Sequence, residues 1–371
     1  MLPPRRSSLH VFFSPKSSLL HLKTTPSLPS YKSELALGSF SFPYLHKHPA
    51  SATELFDSDS HHSNTRASLD LSRIHLNHHS MEPSCNPSDE SAAVVSEIEA
   101  LLRLIASWKV RSHDTSKFQH IPLLRSLEAT QSGPAVVLIG DSMLERMITT
   151  GESPNFVQPW PSPAMLDDAE LARLNSTSPD ARVERLQGVL NVGVGGDRIQ
   201  NIAYRLVGNS SPDPAKDLPA LAPLLEARKS VKLWVVHAGT NNINPKKGLT
   251  NAHRDALRVV LRALLKISSA QVDCRILVTG LFPRLDVPGP LMDEANVKLL
   301  SMVRDLNAEL GKERVVFLPA TEEVKTDKHF VDHVHLGLEG YKIWTKALFP
   351  AVTDLLRKVE EEEEQKQKRD L

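Results

Sequence analysis

A chain of 371 residues has room for one large domain with extensions, or for two smaller domains. Its 44 Lys and Arg balance 44 Asp and Glu, so net charge gives no argument for nucleic acid or an anionic membrane as partner. The two cysteines, Cys85 and Cys274, are too few and too separate for a disulfide framework or a zinc site, and no stretch approaches the roughly 20 apolar residues of a membrane span.

Residues 1–80 are rich in Ser, Pro and His and lack helical or strand periodicity, which predicts disorder. Glu34 is the only acid before Glu54, a bias that suits an organellar transit peptide, although arginines are few after Arg5 and Arg6. The change of composition at Met81 equally suits an extension that is not always made. The expected location is cytoplasmic, with an organellar destination if residues 1–80 act as a transit peptide. Residues 81–134 read as a helix and linker packed on the main domain: Ser88-Asp89-Glu90 is a helix start, and Val94, Ile98, Leu101, Leu102, Ile105 and Trp108 come after it at helical spacing.

The run Val136-Val137-Leu138-Ile139 predicts a buried strand that stops at Gly140. Ser142 then falls where strand hands over to helix. Its hydroxyl is presented at the carboxyl edge of the sheet, and its N–H is among the free donors of a helix N-terminus, a suitable place for a nucleophile whose substrate develops a negative oxygen. Taken alone, Gly140-Asp141-Ser142 reads equally as an ordinary turn with a capping serine. Residues 151–180 carry Pro154, Pro159, Pro161, Pro163 and Pro179 and predict a loop with one short helix over 167–174. Leaving the same sheet edge as Ser142, this loop is expected to form a lid or pocket wall, with Trp160 and Phe156 as apolar contacts.

Strand and helix patterns then alternate. A strand at 189–192 leads into Gly193-Val194-Gly195-Gly196-Asp197 and a helix through Tyr204 and Leu206. A strand at 231–236 ends in His237-Ala238-Gly239-Thr240-Asn241-Asn242, and an amphipathic helix covers 251–267. A strand at 276–280, a helix at 292–310, a strand at 315–318 and a last helix at 339–364 complete the order. This predicts an α/β fold, a three-layer α/β/α sandwich around a five-stranded parallel sheet, with the ligand site at the carboxyl ends of the strands. The domain is expected to span 135–358, with a charged, solvated tail at 359–371.

Before the last helix stands His329-Phe330-Val331-Asp332-His333-Val334-His335-Leu336. Asp332 and His335 are three apart, so one turn of helical backbone would let the carboxylate accept the Nδ1 proton and leave Nε2 outward as a base. Joined with Ser142, they make a nucleophile, a base and an orienting carboxylate. Strand-end loops supply three oxyanion donors: the backbone N–H groups of Ser142 and Gly196 and the side-chain amide of Asn241.

These blocks together resemble the SGNH (GDSL-like) hydrolases. Within that family, the Gly-Gly-Asp turn, Gly239-Thr240-Asn241-Asn242, Gly280-Leu281-Phe282-Pro283-Arg284, His335-Leu336 and Gly340-Tyr341 are most similar to the catalytic subunits of intracellular platelet-activating factor acetylhydrolase. The resemblance covers about residues 135–356. It implies a flavodoxin-like fold, a serine esterase that needs no metal or other cofactor, the roles given above for Ser142, Gly196, Asn241, Asp332 and His335, and a homodimer. The substrate would be a small-molecule, lipid or sugar ester. Two departures border the site: a longer proline-rich segment, and His237 where relatives have a bulky aromatic. Trp160, His237 and Asn242 are therefore the expected pocket residues, and acetyl-phospholipid specificity does not carry over.

Two other classes compete. Asp327, His329, Asp332, His333 and His335 are of metal-ligand type, as in a metal-dependent phosphoesterase, but this reading leaves Ser142 without a task. A non-catalytic binding subunit of an acetylhydrolase-like complex is the other. A dinucleotide site lacks its third glycine, and no Gly-x-Ser-x-Gly elbow is present.

Overall fold

Apolar clusters cover both faces of the central sheet, and its strands alternate between two cores. Val137 and Ile139 face one cluster while Val136 and Leu138 face the other, as period-2 backbone requires when helices cover both sides. The structure, a computed structural model, describes residues 97–129, 133–153, 155–156, 159–177, 183–267 and 274–370. The expected disorder of residues 1–80, the helix start at Ser88 and Cys85 lie outside the described residues.

The strands are β1 (Val136–Gly140), β2 (Val189–Asn191), β3 (Leu233–His237), β4 (Arg275–Thr279) and β5 (Val315–Leu318). They form one parallel sheet in the order β2-β1-β3-β4-β5. This is the doubly wound order in which the switch point falls beside the first strand. One face carries α5 (Ile199–Val207), α7 (Asn251–Ile267) and α8 (Gly289–Leu310), through residues such as Ile202, Leu261 and Leu299. The other carries α3 (Ser142–Thr149) and α10 (Leu338–Asp370), through Met143, Met147, Trp344 and Phe349. The expected α/β sandwich with five parallel strands is what the chain adopts.

Two local expectations need correction. Helical backbone at 97–105 ends before Trp108, which is 56% exposed. The segment from Val110 to Ala129 is not a plain linker. It contains α1 (Val110–Thr115), a wider turn at Ser116–His120 and α2 (Ile121–Ala129), and its first half buries polar side chains: Ser112, His113, Ser116 and His120. At the other end, the charged tail is the exposed end of α10, which runs to Asp370, and its acids also form ion pairs. Glu360 and Glu363 meet Lys232 at 3.2 and 3.1 Å, and Glu362 meets Arg275 at 2.5 Å, so the tail is tied to the amino ends of β3 and β4. The remaining helices are α4 (Asp168–Thr177), α6 (Leu221–Glu226) and α9 (Thr326–His329).

Candidate active site

The order β2-β1-β3 puts three loops side by side at one edge, and backbone bonds stitch them together. Val194 N–H donates to Gly140 O at 3.1 Å, and Asp141 N–H donates to His237 O at 3.3 Å. Asp141 caps α3, its Oδ1 accepting from Met143 N–H at 3.0 Å. Ser142 is thus the first helical residue, where the N–H has no partner one turn back. Its side chain is nearly buried, 7% of the residue remaining exposed.

His335 Nε2 lies 2.9 Å from Ser142 Oγ, and His335 Nδ1 lies 2.7 Å from Asp332 Oδ2. The pair Asp332–His335 is not joined by helical backbone, as its spacing suggests, but by a bend. Asp332 Oδ1 accepts the N–H groups of Val334 and His335 at 2.9 and 2.7 Å, and Val331 N–H donates to His335 O at 2.9 Å. The carboxylate therefore builds the loop with one oxygen and orients the imidazole with the other. Burial alone would raise its proton affinity, but the His335 ring and these two amides outweigh it and hold Asp332 well below the usual carboxylate range. Arg146 adds a cation 3.9 Å away.

Gly196 stands at φ 72, the left-handed region where glycine carries no penalty. Asn241, in the short turn Thr240–Asn242, donates through Nδ2 to Asp197 O at 3.0 Å, which ties the β3 loop to the β2 loop. Arg284 braces this turn from the end of β4 by donating to Thr240 O at 2.7 Å.

The three pocket residues expected from sequence are packed inside the fold. Trp160 is 2% exposed, edge-on to Phe349 at 5.6 Å. His237 is fully buried, 5.3 Å from the Trp344 ring, with Nδ1 2.8 Å from Thr279 Oγ1 and Nε2 3.3 Å from Thr240 Oγ1. Burial pushes its pKa down to about 3, so it is neutral. Asn242 accepts from Ile199 N–H at 3.0 Å and donates to Gln200 Oε1 at 2.9 Å, anchoring the start of α5. The proline-rich loop around Trp160 and the loop after β3 that carries His237 and Asn242 suggested a pocket, but these side chains turn into the layers.

Other supporting residues carried no recognisable motif. Asp197 and Arg205 form a fully buried pair, Nε to Oδ2 at 2.8 Å. Arg205 also donates to Val192 O at 2.8 Å and Gly140 O at 3.3 Å, while the Ser112 hydroxyl donates to Asp197. Lys109 Nζ donates to Gly195 O at 3.1 Å. Among the described residues no three His, Cys, Asp or Glu side chains are grouped to hold a metal ion; His333 is exposed, and His329 Nδ1 accepts Lys325 N–H at 2.8 Å. Two surface clefts, one bordered by Ile98, Leu102 and Leu206 and one by Arg185, Pro350 and Arg357, share no residue with the Ser142 group.

Fold and site define an α/β hydrolytic enzyme with a serine at the head of the helix after the first strand. Residues 138–343, more than half of the chain, match the model of the GDSL-like Lipase/Acylhydrolase family, and the chain belongs to that family of carboxylic ester hydrolases. The likeness expected within it is found. The platelet-activating factor acetylhydrolase IB subunit alpha1 of Bos taurus is 29% identical over 175 residues, 45% of this chain and 64% of that protein. The alpha2 subunit of Homo sapiens is 27% identical over 190 residues, 47% of this chain and 69% of that protein. The match thus spans less than two thirds of the alpha1 relative. Est24, a carbohydrate acetylesterase from Sinorhizobium meliloti, matches 60% of this chain and 99% of its own at 18% identity, with a TM-score of 0.36.

Proposed function

We propose that the chain is a serine esterase that hydrolyses a short-chain, acetyl-type ester through an acyl-enzyme. The observation that carries this reading is the continuous relay from Asp332 Oδ2 through His335 to Ser142 Oγ, with steps of 2.7 and 2.9 Å. Ser142 Oγ attacks the ester carbonyl as His335 Nε2 takes its proton, and Asp332 stabilises the imidazolium. The tetrahedral oxyanion receives the N–H groups of Ser142 and Gly196 and the Asn241 amide. Asn241 has two amide hydrogens; the bond to Asp197 O occupies one and orients the other. Collapse breaks the bond to the alcohol, which leaves with the proton from His335. Water then repeats the sequence on the acyl-serine and releases the acid and free Ser142.

The acetyl-type acyl group is supported by likeness to the acetylhydrolase subunits. We take residues 135–358 as the catalytic domain, with the described residues 97–129 packed on it through Leu102, Ile121 and Leu124 and with 359–371 as its charged extension. Incubation with an aryl phosphonate and peptide mapping test the mechanism. The reading predicts one phosphonyl group per chain, on Ser142; labelling elsewhere, or none with full esterase activity retained, contradicts it.

A further inference from the structure

Lys109 lies ahead of the region that matches the family, yet it reaches into the loop after β2. Its ammonium donates to Gly195 O at 3.1 Å, and it fills the space a side chain on Gly196 would need, where a Cβ would come within 2.6 Å of Nζ. Gly195 O and Gly196 N–H belong to the same peptide group. The cis bond among the described residues is Trp160–Pro161, so the 195–196 peptide is trans and its C=O and N–H point in opposite directions. Holding the carbonyl therefore aims the N–H. Between two glycines, one of them at φ 72, this peptide has little steric resistance of its own to rotation. Among the described residues, the Gly196 N–H has no backbone hydrogen-bond partner.

We infer that Lys109 is a positioning residue for the oxyanion hole: its ammonium fixes and polarises the Gly195–Gly196 peptide so that the Gly196 N–H is directed at the developing negative oxygen. The inference rests on the reading of Gly196 as an oxyanion donor. A cation on the carbonyl oxygen draws electron density along the amide and strengthens the donor at its other end. The lysine is itself held in place. Ser107 N–H donates to Gln200 O at 3.0 Å, Asn201 Nδ2 donates to Ser107 O at 2.8 Å, and Ser112 bonds Asp197. Arg111 and Glu145, paired at 2.8 Å, close over Gly195 where its side chain would stand. Burial lowers the proton affinity of Lys109 while Asp197 opposes the change, as expected of a cation sunk beside this loop.

The test uses the full chain with K109M, which keeps the stem and removes the charge, and K109R, which keeps the charge. With p-nitrophenyl acetate, K109M is expected to lose kcat by roughly tenfold or more, with KM within about twofold and an unchanged Tm, because the contact acts in the transition state. Its inactivation by an aryl phosphonate, which builds the same oxyanion, should slow in parallel, and K109R should recover part of the loss. Wild-type kcat in K109M, a loss that tracks a fall in Tm, or K109R as slow as K109M overturns the inference. S142A and N241A run alongside separate the two claims. If they retain turnover, the reading of the site fails; if they lose it while K109M does not, only the role of Lys109 fails.

Discussion

His335 Nε2 and Ser142 Oγ lie 2.9 Å apart although 193 positions separate them in the chain. The contact depends on α3 and α10 sharing one face of the sheet. A second bond locks those helices together, Tyr341 Oη donating to Met143 O at 2.9 Å, one residue beyond the serine and six beyond the histidine. The chain of hydrogen bonds from Asp332 through His335 to Ser142 is thus mounted on two packed helices and a loop tied by its own carboxylate, which keeps the three side chains in contact.

Asp332 has two tasks, and one substitution separates them. Asp332→Asn keeps an oxygen for the N–H groups of Val334 and His335 but loses the negative charge at Nδ1. Turnover of p-nitrophenyl acetate should fall on the order of a thousandfold or more, with Tm little changed, since the imidazolium loses its stabilising partner. A decrease below about tenfold would remove Asp332 from the relay.

Asp197 and Arg205 form a pair with no exposed surface. Removing one partner leaves the other charge buried and uncompensated, so Arg205→Met should cost about 3–5 kcal/mol in urea unfolding. The double variant Asp197→Asn/Arg205→Met should be less destabilised than Arg205→Met alone. Additive losses in the two single variants would show that the residues do not act as a pair.

Asp141 caps α3 from a fully buried site, where burial pushes its pKa up to about 6 from 3.8, against the Met143 N–H and the Thr240 hydroxyl. A carboxyl with a raised folded-state pKa binds its proton more tightly when folded. Its contribution to stability is therefore present below pH 3.8 and declines as pH rises through about 6. Relative to Asp141→Asn, which retains a capping oxygen and cannot ionise, the wild type should lose about 3 kcal/mol across that window. Parallel stability curves for the two proteins would contradict the assignment.

Much of the fold was legible because its strands are continuous apolar runs and its helices α7 and α8 carry apolar residues at helical spacing. Ser142, Asp332 and His335 were legible by residue type and by their places at strand and helix ends. The segment holding Lys109 was not, since Ser112, His113, Ser116 and His120 give its buried face a helical period without an apolar signal. Nor was the inward turn of Trp160, His237 and Asn242. A residue in a long loop or at a strand end can face ligand or layer, and only packing against Phe349, Trp344 and α5 decides which. The bend at Asp332–His335 was hidden because a three-residue spacing suits a helix and an aspartate-built turn alike.

Everything proposed for this site requires that Ser142 performs the chemistry. The direct measurement is hydrolysis of p-nitrophenyl acetate by wild type and Ser142→Ala, each with and without EDTA, extended to longer acyl chains to size the pocket. The substitution is expected to abolish turnover, and EDTA to leave the wild type unchanged. Turnover that survives Ser142→Ala and is lost with chelator would contradict it and move the chemistry to a metal held near His329, His333 and His335.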